Sequence, residues 1–158
     1  MIPSFNAGSL VRIKDFQFDD GSIRDKYLIV LFRNNVDAFI IQALTTSKNN
    51  LNLVSKQHGC NVQTYNNRQI PYFFFPETYV LDTVSGFYFD TDTYVFFSNN
   101  TTKVSIAAFN RYDVGIFSIV ELAQLNPFEL KRLLKCVLKA PFVDGDIRIL
   151  LTEFKESL

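Results

Sequence analysis

A chain of 158 residues, 47% hydrophobic, with 17 phenylalanines and no tryptophan, has the apolar content for one folded domain with an aromatic-rich interior. Sixteen Lys/Arg balance sixteen Asp/Glu, which excludes a polycation that gathers nucleic acid by net charge alone. The two cysteines lack a C-x-x-C spacing, no apolar run approaches a membrane span, and MIPSFNAG has no basic segment leading into an apolar run; these features predict reduced thiols, no membrane partner and a cytoplasmic location.

In chain order, Leu10, Val11 and Ile13 alternate with Arg12 and Lys14, the period of a half-buried strand. Asp15 to Asp25 reads as a charged loop around the turn signal Asp19-Asp20-Gly21. Tyr27–Phe32 is a continuous apolar run, hence a strand buried on both faces or at a barrel wall; Asn34-Asn35 turns the chain, and Val36–Leu44 returns as a third strand. This meander sets Arg24 and Lys26 at one loop end against Thr45, Thr46 and Ser47 at another. A guanidinium beside hydroxyls suits a phosphate or a developing oxyanion. Residues 1–60 carry seven Lys/Arg against five Asp/Glu, and 61–125 three against six, so the small basic excess, Arg12 and Lys14 included, lies with this candidate site.

Residues 48–69 are polar and Asn-rich and read as a loop with a short strand at Leu51–Val54. It holds His58, the only histidine, whose bland reading is a solvated or hydrogen-bonded side chain rather than a general base or a metal ligand beside Cys60. Strands follow at Ile70–Phe75, Tyr79–Asp82, Gly86–Asp90, Thr93–Phe97, Lys103–Phe109 and Tyr112–Val120. Asp90 and Asp92 suit a turn better than a Mg²⁺ site, and Tyr72–Phe75 with Phe87–Phe89 suit a core better than a base-stacking surface. Asn126-Pro127 opens a helix with an N-cap and a proline at the first helical position; Phe128, Leu130, Leu133, Leu134, Val137 and Leu138 recur at helical spacing up to the stop at Ala140-Pro141. A second helix runs from about Asp144 to Glu156. The fold class is therefore mainly β with C-terminal helices: a small β-barrel over 1–125 and a helical segment, 126–158, packed on it.

Gly8-Ser9-Leu10-Val11, the charged loop, Arg24-Asp25-Lys26, Leu28-Ile29-Val30-Leu31 and Ala43-Leu44-Thr45-Thr46-Ser47 together resemble the N-terminal third of MazF/PemK-like toxin ribonucleases of type II toxin–antitoxin pairs. The resemblance implies an SH3-like barrel, a homodimer, a cognate antitoxin and metal-independent cleavage of single-stranded RNA without a cofactor. It assigns catalysis to Arg24, Thr45 and Thr46, and RNA binding to Lys26, Ser47, Arg12 and Lys14. Lys26-Tyr27 stands where the family has Arg-Pro, and Ser9 where it has an acid. Two alternatives remain: a barrel that binds without cleaving, and a structural protein whose aromatic strands form an interface.

Overall fold

A computed structural model describes residues 5–45, 57–97, 102–107, 119–140, 143 and 145–158. Its strands are β1 Ser9–Gln17, β2 Ile23–Arg33, β3 Asp37–Thr45, β4 Gly59–Tyr65, β5 Arg68–Phe75, β6 Val80–Asp82, β7 Phe87–Tyr88, β8 Thr93–Phe96, β9 Thr102–Ser105 and β10 Ile119–Gln124. Two helices follow, α1 Pro127–Leu138 and α2 Gly145–Ser157. The main sheet runs β10-β1-β2-β3-β8-β5-β4, with β9 also on β3, and every pairing is antiparallel. Among the described residues its end strands, β10 and β4, pair with no further strand, so the sheet is an open one. β6 and β7 form a separate hairpin.

Alternation along the strands sorts side chains onto two faces. Leu10, Ile29, Ile41, Phe73, Phe75 and Val95 point into the main core, which α1 closes with Leu130, Leu133, Leu134 and Val137 and α2 with Leu151. The opposite face of β1–β3 carries Val11, Ile13, Leu28, Val30 and Ile40, with Phe5 and Ile119 packed on them. On the opposite face of β5 and β8, Tyr72, Phe74 and Tyr94 form a third cluster edged by Phe96. Tyr72–Phe75 are thus core, as the sequence predicts. α1 begins as its sequence dictates: the Asn126 side chain accepts from the Glu129 N–H, and Pro127 fills the first turn.

Several boundaries differ from the sequence reading. The charged stretch from Asp15 to Asp25 is mostly strand: β1 continues to Gln17 through a bulge between Ile13 and Phe16, and β2 starts at Ile23. Only residues 18–22 turn, closed by Asp20, which accepts from the backbone and hydroxyl of Ser22 and whose carboxyl is thereby held below its usual range. The polar segment 48–69 contains the whole of β4 and the turn into β5. Asn66 and Asn67 both adopt positive φ (49 and 62), the geometry of a tight two-residue β-turn, and join β4 to β5. Of the strand read at Gly86–Asp90, Phe87–Tyr88 pairs, and the one read at Lys103–Phe109 ends at Ser105. The predicted strand Leu51–Val54 lies outside the described residues.

Candidate functional site

The β1–β2 hairpin carries the first site. Ile13 pairs with Lys26 and Phe16 with Arg24, so these four side chains share one face of the ribbon. The Lys26 ammonium lies 4.3 Å from the centre of the Phe16 ring, and the Arg24 guanidinium carbon 4.3 Å from that of Phe18. The two rings meet edge to face at 5.1 Å. Cation, ring, ring and cation thus form one interlocked patch in which the rings hold the cations in place. Burial lowers the Lys26 pKa, and the Asp19 carboxylate pulls it back up. Arg24 is exposed.

The remaining residues picked out from the sequence distribute around this patch. Arg12 pairs with Tyr27 and therefore points to the other face, where its Nε lies 3.9 Å from Asp25 Oδ2. Tyr27 packs edge-on against Phe89 at 5.6 Å, and burial, with the charge of Asp25, raises its pKa. Lys14 is exposed beside the bulge. The β2–β3 ladder brings Tyr27 opposite Ala43, so Arg24, three residues before one, and Thr45, two after the other, stand at the same end of this strand pair. Thr45 itself pairs with Thr93 of β8. Thr46 and Ser47 lie outside the described residues. The structure therefore brings Arg24 and Lys26 together on one face and places Arg12 on the other.

A second cluster, illegible in the sequence, sits where β4 meets α1. Of the two bland readings of His58, solvated or hydrogen-bonded, the structure shows the second. Its Nε2 is 2.5 Å from Oε1 of Glu129, a carboxylate only 4% exposed. Its Nδ1 is 3.5 Å from Nη1 of Arg132, and its backbone carbonyl accepts from Arg132 Nη2 at 3.3 Å. These partners fit the neutral ring with the proton on Nε2: Nε2–H donates to the carboxylate and Nδ1 accepts from the guanidinium. Tyr79 stacks on the ring at 4.0 Å, its hydroxyl pKa raised by burial and by Glu129. Gly59 has φ +111, and a Cβ there would collide with the Arg132 guanidinium, so glycine lets α1 approach.

Next to this cluster the structure corrects the expectation of two reduced thiols. Cys60 and Cys136 form a disulfide across 76 residues, their Cα atoms 5.4 Å apart. Separation along the chain carries no information about that approach; the β4–α1 packing does. Comparison with known protein families, curated proteins and solved structures finds no match.

Two further features bear on function. A cavity of about 620 Å³ lies between the β6–β7 hairpin, the end of β10 and the two helices, lined by Tyr79, Leu81, Leu125, Leu130, Phe154 and Leu158. Two polar side chains at its rim are engaged within the protein: Asp82 accepts from the Gln124 and Val84 N–H groups, which lowers its pKa, and Asn126 caps α1. Among the described residues, no three His, Cys, Asp or Glu side chains gather where they could hold a metal ion, and no helix is long and apolar enough to cross a membrane.

Proposed function

We propose that the protein is a MazF/PemK-like, metal-independent endoribonuclease that cleaves single-stranded RNA at the β1–β2 hairpin, its strands curled as a small SH3-like barrel. The observation that carries this reading is the patch of Arg24 and Lys26 over Phe18 and Phe16. Cations seated on aromatic rings suit a chain of phosphates and unstacked bases. In the reaction the 2′-oxygen of the RNA bonds to the adjacent phosphorus and the bond to the 5′-oxygen breaks. The 2′-hydroxyl loses its proton and the departing oxygen gains one, leaving a 2′,3′-cyclic phosphate and a 5′-hydroxyl. Arg24 stabilises the charge that builds on the non-bridging oxygens, with Thr45 and Thr46 assisting and Lys26 holding a neighbouring phosphate. On this reading the active form is a homodimer, a cognate antitoxin covers the groove, and the setting is the cytoplasm.

One observation favours binding without cleavage. The only imidazole of the chain is committed to Glu129 and Arg132 at the other end of the sheet path, so the hairpin has no histidine base. The two readings separate on a single-stranded RNA incubated in EDTA. Cleavage to cyclic-phosphate ends, blocked by a 2′-deoxy substitution at the cut and slowed at least about 100-fold by Arg24→Ala, is the expected result. Retention of the RNA intact, with binding weakened by the same substitution, selects the binding module. Intact RNA with no binding eliminates both.

A further inference from the structure

We infer that the Cys60–Cys136 disulfide is a reversible redox latch that holds α1 against the sheet and releases it when a dithiol reductant attacks Cys60. The inference is independent of the RNA reading, because it concerns the β4–α1 seam alone.

Three features of the seam carry it. Glu129, Arg132 and Cys136 follow one another at helical spacings of three and four, so one stripe of α1 faces the start of β4. His58 meets the first two, and Cys60 the third. The helix is thus held at two points, a hydrogen-bonded one near its N-terminus and a covalent one near its C-terminus. Second, the two cysteines differ in exposure. Cys136 is fully buried, whereas Cys60 is half-buried on β4, a strand hydrogen-bonded on one side only among the described residues. Third, the Arg132 guanidinium is packed against Gly59, one residue from Cys60, so positive charge in the seam favours the departure of Cys60 as a thiolate in the second displacement, which completes the reduction.

The exchange balances as follows. A thiolate of the reductant bonds to Cys60 Sγ as the Cys60–Cys136 bond breaks, and Cys136 leaves as a thiolate that takes up a proton. The second thiol of the reductant then displaces Cys60. Two electrons pass to the chain, which ends with two thiols, and the reductant ends as a disulfide. The His58–Glu129 contact remains. Release therefore begins at the C-terminal half of α1, uncovering Leu133, Leu134 and Val137 and carrying α2 with it. The two helices are tied together by Arg148, which donates to the carbonyls of Leu138 at 2.6 Å and Ala140 at 2.5 Å.

Hydrogen exchange on the full chain, before and after dithiothreitol without denaturant, tests this. Amides of the second half of α1 are expected to lose at least about 10-fold protection while those of β1–β3 change by less than about 2-fold, and reoxidation is expected to restore the first set. Trapping with glutathione should place the mixed disulfide on Cys60. Cys60→Ser in oxidising buffer should match the reduced protein; should that variant fail to fold, reduction of the unaltered chain still decides. A bond that resists dithiothreitol in the folded protein, α1 protection unmoved by reduction, or β1–β3 losing protection together with α1 each overturns the latch; the last would make the bond a plain structural staple.

Discussion

Lys26 shows how one side chain is set by its neighbours. The Phe16 ring and the surrounding β1–β2 packing desolvate its ammonium, which lowers the pKa, and the Asp19 carboxylate opposes that shift. The same carboxylate repels a phosphate arriving at Lys26. Asp19→Asn removes both effects at once, and they separate by pH. Near pH 7 the ammonium stays charged and the repulsion is gone, so affinity for single-stranded RNA should rise about 2- to 5-fold, the size of one surface Coulomb contact. Without Asp19 the Lys26 pKa drops further. The loss of binding on going alkaline should therefore begin at lower pH than in the unaltered protein. Titration of a fluorescent oligoribonucleotide across pH 6 to about pH 10 reads both; unchanged affinity at neutral pH would remove Lys26 from the phosphate path.

Among the elements, the packing of α1 on the sheet is the part least visible in the sequence. Each half of the contact is readable alone. The helix shows its N-cap, its proline and its apolar stripe, and β5 shows its aromatic run. The contact joins His58 to a residue 71 positions away, and nothing local marks either partner. Glu129 is a first-turn acid of the helix, and its burial comes only from tertiary packing. The strand β4 was hidden for a different reason. Its residues, Gly59–Tyr65, are mostly polar, and its turn is Asn-Asn, with both residues at positive φ. The strands of the candidate site, by contrast, were legible because β-branched and aliphatic residues fill β2 and alternation marks β1, although the bulge at Ile13/Phe16 disguised the end of β1 as loop. The α1 contact has a measurable energy. His58→Ala leaves the Glu129 carboxylate buried without the imidazole donor, with the Arg132 guanidinium 3.9 Å away, and should lower unfolding stability by about 2–4 kcal/mol in urea titration. Removing Glu129 as well should cost less than the sum of the single changes, with a coupling of about 1–3 kcal/mol; additive costs would mean the pair is not interacting.

At the scale of the whole molecule, net charge is zero, and the acids are not kept away from the candidate site: Asp19 and Asp20 stand in the turn of the same hairpin that carries Arg24 and Lys26. On the proposed reading, the grip on RNA therefore comes, among the described residues, from the cations that the Phe16–Phe18 pair orients rather than from a broad electrostatic funnel. Counterion release turns that into a number. Each phosphate neutralised on a single strand contributes about −0.7 to the slope of log affinity against log salt, so two cations give a slope of about −1.4. Lys26→Gln should bring it to about −0.7, with base stacking on the aromatic pair retained. A slope beyond about −3 would require several more phosphate contacts than the hairpin face supplies and would shift the site toward a wider surface that includes Arg12 and Lys14. A slope near zero would mean that stacking alone holds the RNA, which leaves Arg24 without the phosphate it needs for cleavage and sinks the nuclease reading together with the phosphate grip.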